Sequence, residues 1–270
     1  MQDRFFTHNT SSFHYRVFGN GPKLLFCFHG YGRDSYTFGF LAKALGTRYT
    51  IVALDAPFHG FTKWDHPDFE PDDLVQIVQG IRRSLNKEGH KISLLGFSMG
   101  GRIALHLTQM LPDEIERVVL LAPDGLKYKS WLWFTTQTWA GSRLFDYTVH
   151  HPGWFLSMVH LLEKSRVITK NLASFVDYYF EDKPQRIALY RRWRIMKNFK
   201  PQLYRLKKVI PKHDIKVRML FGSFDRIIHY ASGQHFLKKI EQYASVKIIE
   251  AGHDLLREWH TPVIAELFND

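Results

Sequence analysis

Cysteine is nearly absent. Cys27 is the only one in 270 residues, which excludes an intrachain disulfide and a thiolate cluster that could hold a metal. It sits inside an apolar run, residues 24–28, where a buried structural thiol is expected, as in a protein of a reducing compartment. No uninterrupted apolar run reaches the roughly 18 residues of a membrane-spanning helix. The opening MQDRFFTHNT carries Asp3 and lacks the apolar stretch of a secretory leader, so a cytoplasmic protein is expected, peripheral to a membrane at most. There is no internal repeat and no low-complexity segment. Acidic residues are also scarce: 26 Asp and Glu stand against 37 Lys and Arg, a formal net charge of +11. No nucleic-acid-binding motif accompanies that charge, so nucleic acid is disfavoured as a partner.

What is present is an ordinary folded composition, 45% hydrophobic and 23% charged, arranged as short apolar strands alternating with helices. Residues 13–18 alternate like a strand, and Gly19-Asn20-Gly21-Pro22 predicts a hairpin turn at a sheet edge. Residues 23–29 are almost wholly apolar, as in a strand covered on both faces. Ser35 is placed to cap a helix carrying Phe38, Leu41 and Leu45. Further strands are expected at residues 49–54, 92–95 and 118–122, with a helix opened by Pro71 and Asp72 between the first two. The alternation lapses after Pro123 and resumes with strands at 217–221 and 246–249 and a helix near 230–240. The fold class is therefore α/β: a mostly parallel central sheet flanked by helices, its core from residues 1–125 and 214–270, with an inserted helical cap over 126–213.

The stretch KISLLGFSMGGRIALHL, residues 91–107, reads as strand, tight turn, helix. Glycines at both ends of Gly96-Phe97-Ser98-Met99-Gly100 let the chain reverse where a Cβ would collide, pushing Ser98 to the tip above a helix N-terminus. Alone, Ser98 could equally be a helix N-cap. A nucleophilic serine needs a base and a group to orient that base, and in an open parallel sheet both belong on loops at the carboxyl ends of strands. Asp225 and His253 each follow a predicted strand. Asp124, in Ala122-Pro123-Asp124-Gly125, follows another and rivals Asp225 for the acid.

With Ser, Asp and His in that order, the sequence resembles the α/β-hydrolase fold superfamily, specifically its capped, serine-nucleophile, esterase- or lipase-like members. His29-Gly30-Tyr31-Gly32 is similar to that family's HG-x-G loop. Residues 55–62 are similar to its D-x-P-G-H-G-x-S segment, except that Phe58 stands where the first glycine is usual. The resemblance implies Ser98 as nucleophile, His253 as base and Asp225 as acid. It further implies that the backbone N–H groups of Tyr31 and Met99 form an oxyanion hole, with no metal or organic cofactor. Some members place the acid where Asp124 stands. The expected reaction is cleavage of a carboxylic ester or thioester through an acyl-serine. The alternatives are the same triad used for amide or C–C bond hydrolysis or perhydrolysis, and a ligand receptor or membrane-associated binding module that keeps the fold with little turnover. His29 and His59 are expected to pack or to make structural hydrogen bonds.

The positive charge belongs to the insertion, where residues 126–213 hold seventeen basic and five acidic residues. Trp131, Trp133, Phe134, Trp139, Trp154 and Phe155 crowd its first third, and Leu189, Trp193 and Met196 form one helical stripe. Three readings stay open: an acyl pocket under a cationic surface for a substrate on an anionic carrier, a face for an anionic membrane, or a small core beneath a solvated surface.

Overall fold

The computed structural model of the chain describes residues 1–127 and 138–269. It divides into two compact units, the first formed by residues 1–127 and 198–270 and the second by 128–197.

The first unit is built on an eight-stranded sheet of order β1-β2-β4-β3-β5-β6-β7-β8. The strands are β1 (Gln2–His8), β2 (Ser11–Phe18), β3 (Lys23–Phe28), β4 (Tyr49–Leu54), β5 (Ile92–Phe97), β6 (Ile115–Leu121), β7 (Lys216–Gly222) and β8 (Ala244–Ile249). From β4 across to β8 every pairing is parallel. Every residue of β4 and β5 is buried, as expected where helices cover both faces. β1, at the edge, is partly exposed along its length.

The hairpin falls elsewhere than the turn Gly19-Asn20-Gly21-Pro22 predicted. β2 pairs antiparallel with β1 on one side and with β4 on the other, so β3 is not its neighbour. The glycine turn is instead clamped to the chain ahead of β4. Asn20 and Gly21 donate their N–H groups to the Gly46 carbonyl, and a Cβ at Gly21 would lie 2.1 Å from the Arg48 carbonyl carbon. Ser35 does not cap the helix that follows; Asp34 does, accepting from Tyr36 N, and Ser35 lies buried inside the 3₁₀ turn Ser35–Leu41.

The helices of this unit are α1 (Ala42–Leu45), α2 (Pro71–Ser84), α3 (Met99–Met110), α8 (Leu203–Lys212), α9 (Ala231–Leu237) and α10 (Thr261–Glu266). α2 opens with Pro71 in its first turn and a reciprocal capping box between Glu70 and Asp73. Residues 198–213, counted with the insertion on the sequence, belong to the first unit. Leu206 and Ile210, four apart on α8, are both fully buried where that helix meets α3. Phe199 stacks on Phe69 at 5.2 Å.

The second unit contains α4 (Trp139–His150), α5 (Gly153–Lys164), α6 (Lys170–Phe180) and α7 (Lys183–Ile195). Arg186 of α7 is buried and serves its neighbours' ends. Its Nε donates to the Val149 carbonyl at 2.5 Å, near the C-terminus of α4, and its Nη1 to the Phe180 carbonyl that closes α6. It thereby satisfies carbonyls that the helices cannot satisfy themselves. Leu189 and Met196 are buried and Trp193 stacks on Phe145 at 5.5 Å, so the stripe predicted on α7 is core. Phe155 packs on Phe180, whereas Trp139 and Trp154 are exposed. Trp131, Trp133 and Phe134 lie outside the described residues.

Candidate active site

Ser98 is the hinge between β5 and α3, with φ 50° and ψ −115°, a conformation that a side chain ordinarily makes costly. The neighbours enforce it. A Cβ at Gly96 would lie 2.5 Å from the Gly100 carbonyl oxygen, and one at Gly100 would lie 1.9 Å from that of Phe28. The backbone of Ser98 itself is engaged: its N–H donates to Leu121 O, and its carbonyl accepts from Gly101 N and Asp124 N, each at 2.9 Å. The side chain makes no capping bond to the helix beneath it. Its Oγ lies 3.0 Å from His253 Nε2.

His253 reaches Ser98 from the loop after β8, and Asp225 reaches His253 from the loop after β7. His253 Nδ1 lies 2.7 Å from Asp225 Oδ2. The other carboxylate oxygen, Oδ1, accepts the N–H groups of Ile227 at 2.7 Å and Ile228 at 2.9 Å. The Asp225 side chain is fully buried and that of His253 is 19% exposed. A hydroxyl, an imidazole and a carboxylate in series can move the hydroxyl proton onto the ring. Asp124, the rival acid, is engaged differently. Its Oδ2 pairs with Arg102 of α3 and its Oδ1 accepts from Gly125 N.

The loop after β3 lies against this turn. A Cβ at Gly30 would meet the Phe97 ring at 2.8 Å and Ser98 Cβ at 3.4 Å, so only glycine lets the backbone approach so closely. His29 is buried and its tautomer is dictated by its partners. Nε2 accepts from Ala56 N at 3.0 Å, leaving the proton on Nδ1, which donates to Gly30 O at 2.8 Å. His59 faces it at 4.9 Å between ring centres and bonds Pro57 O through Nδ1. Both ring nitrogens of His29 are thereby engaged in holding the loops after β3 and β4. Met99 opens α3, where an N–H has no acceptor inside the helix and the helix dipole favours negative charge.

The loop after β4 is organised by Asp55, whose side chain is fully buried. It accepts from Ser35 N at 2.6 Å, Phe61 N at 2.9 Å and His14 Nδ1 at 2.7 Å. Burial alone would push its carboxyl up; the hydrogen bonds outweigh this and hold it below the usual carboxylate range. Phe58, at the position where the resembling motif has glycine, adopts φ 61°. Burial likewise pushes the Cys27 thiol well up, as expected for an inert structural cysteine.

One pair near the site has no counterpart in the motif reading. Arg33 Nη2 forms an ion pair with Asp254 Oδ1 at 2.6 Å, Asp254 also pairs with Arg257, and the Arg33 guanidinium lies over the Phe97 ring. The pair ties the Tyr31 loop to the His253 loop. The available sequence signal was two opposite charges, each beside a motif: Arg33 after Gly32 and Asp254 after His253.

The curated relatives are distant. A pimeloyl-[acyl-carrier protein] methyl ester esterase of Nitrosomonas europaea is 29% identical over 46% of this chain and 46% of its own, so the match spans less than half of that relative's length. A protein of the same name from Neisseria meningitidis serogroup B is 23% identical over 92% of both chains. Among solved structures, a thermophilic esterase from Thermogutta terrifontis superposes with a TM-score of 0.68 at 17% identity, over 98% of this chain and 97% of that one. At that identity the likeness is one of fold. The family model described as alpha/beta hydrolase fold matches residues 23–258, which take in the six strands β3 to β8 and the loops that carry Ser98, Asp225 and His253, and the chain belongs to that family.

Proposed function

We propose that this chain is a serine hydrolase that cleaves a carboxylic ester or thioester through an acyl-Ser98 intermediate. The observation that carries the reading is the continuous relay from Ser98 Oγ to His253 Nε2 at 3.0 Å and from His253 Nδ1 to Asp225 Oδ2 at 2.7 Å. His253 accepts the Ser98 proton as Oγ bonds to the acyl carbon. Asp225 holds the ring with its proton on Nδ1 and stabilises the imidazolium. The N–H groups of Met99 and Tyr31 stabilise the oxyanion, each contributing about 3–4 kcal/mol. Collapse of the tetrahedral intermediate breaks the bond to the alcohol or thiol, which leaves with the proton from His253. Water then attacks the acyl-serine, delivering its own proton to His253, and Ser98 is regenerated as the acid departs.

An ester substrate is favoured by the two relatives named as methyl ester esterases. Their named substrate is borne on an acyl-carrier protein, and the surplus of basic residues in 128–197, eleven against five acidic, suits an acyl group presented on an anionic carrier. In this reading residues 128–197 act as the cap, and the protein works in the cytoplasm.

A fluorophosphonate and a short-chain nitrophenyl ester test the proposal. The protein should label at Ser98 and turn over the ester, and Ser98→Ala should lose both. Absence of labelling and turnover in the folded wild-type protein would favour a binding module instead.

A further inference from the structure

Helix α5, sequence GWFLSMVHLLEK, turns an apolar stripe to solvent. Trp154, Met158 and Leu161, at i, i+4 and i+7, are 41%, 40% and 66% exposed, while Val159 alone in the helix is buried. The ending of the helix extends the stripe and attaches charge to it. Arg166 takes a left-handed conformation (φ 59°), its N–H donating to Glu163 O, while Val167 N donates back to Leu162 O. This paired closure folds the chain over the last turn. It leaves Val167 69% exposed and Lys164 and Arg166 exposed beside it, where cations also suit the C-terminal end of the helix dipole.

Large apolar side chains including a tryptophan, bordered by Lys and Arg, are what a helix lying in a lipid–water interface presents. The same charges make this face self-repelling against a second copy of the chain. We propose that the α5 face bearing Trp154, Met158, Leu161 and Val167, with Lys164 and Arg166, docks on a bilayer containing anionic phospholipid. The apolar stripe enters the headgroup boundary and the two cations meet lipid phosphates.

The test is co-sedimentation of the full chain with phosphatidylcholine vesicles, with and without phosphatidylglycerol. Binding should require the anionic lipid and weaken as salt rises. Lys164→Ala and Arg166→Ala should each lower vesicle affinity about fivefold. Leu161→Glu and Met158→Glu should lower it about tenfold or more. Leu161→Asn, at the more exposed position, serves if a glutamate variant fails to fold. Turnover of a soluble short-chain ester and the melting temperature should be unchanged in the Met158 and Leu161 variants. Vesicle binding is read without turnover, so it stands or falls separately from the proposed hydrolysis. The proposal is overturned by absence of binding to anionic vesicles or by binding that all the α5 variants retain. It is equally overturned by stripe variants that impair soluble-ester turnover while leaving vesicle binding intact, or by an acidic carrier protein that binds this face in preference to the vesicles.

Discussion

Replacing Asp225 by asparagine separates the charge of that side chain from its shape. Oδ1 is held as an acceptor by the N–H groups of Ile227 and Ile228, so the amide oxygen of asparagine must stay there. The new NH₂ group then occupies the place of Oδ2, facing His253 Nδ1 at 2.7 Å. Two donors cannot share that contact, so the ring must shed its Nδ1 proton and carry it on Nε2. Nε2 then donates to Ser98 Oγ instead of accepting from it, and no base remains for the hydroxyl. In Ser-His-Asp proteases the equivalent tautomer error costs about 10⁴-fold in kcat, or about 5 kcal/mol of barrier at roughly 1.36 kcal/mol per decade. The assay is kcat and KM on a nitrophenyl ester, with thermal melting to verify the fold and Asp124→Asn alongside. Asp225→Asn should lose kcat by three to four decades, as a rough scale from the same comparison, with little change in KM. Asp124→Asn, whose carboxylate faces Arg102, should stay within a few-fold of wild type. An Asp225→Asn enzyme that keeps its rate, or an Asp124→Asn enzyme that loses it, would refute the assignment of the acid.

Arg33→Met should lower kcat more than it raises KM, because it frees the Tyr31 loop from the His253 loop without touching either reacting group; Asp254→Asn should match it, with melting little changed. Gly100→Ala should destabilise by about 3 kcal/mol or more in urea unfolding, since its Cβ would meet the Phe28 carbonyl oxygen at 1.9 Å, a backbone atom that cannot turn aside. His106 is held below its ordinary 6.5 by burial, which opposes the cation more than Asp72 favours it. The unfolded chain therefore binds that proton more readily than the folded one, so the neutral ring's contribution is complete above about pH 6.5 and is lost as pH falls. Wild type should lose more melting temperature between about pH 7 and pH 5 than His106→Gln does.

The sheet was legible because its central strands are continuous apolar runs and its helices carry stripes at i, i+4. The meeting of Ser98, His253 and Asp225 was legible because each of them follows a strand of one parallel sheet. The pairing of β2 was not: a Gly-Asn-Gly-Pro turn is a hairpin signal by local chemistry, and only the distant carbonyl of Gly46 redirects it. The compact unit of residues 128–197 ends before the insertion read from the sequence: the basic residues of α8 continue its composition, while the two buried side chains of that helix, Leu206 and Ile210, pack where it meets α3. What separates Asp225 from Asp124 is that one carboxylate lies against His253 Nδ1 and the other against Arg102, a fact of three dimensions. Arg33 and Asp254 are 221 positions apart in sequence, and nothing local announces that they meet.

Phe58 carries a further consequence. A phenylalanine in left-handed backbone runs against its own preference by about 1–2 kcal/mol, yet it is flanked by a buried carboxylate that grips the following Phe61 amide and leaves no room for a Cβ at Gly60. The bend is thus held from outside by Asp55, so the backbone at residue 58 follows its neighbours' contacts rather than the preference of its own side chain.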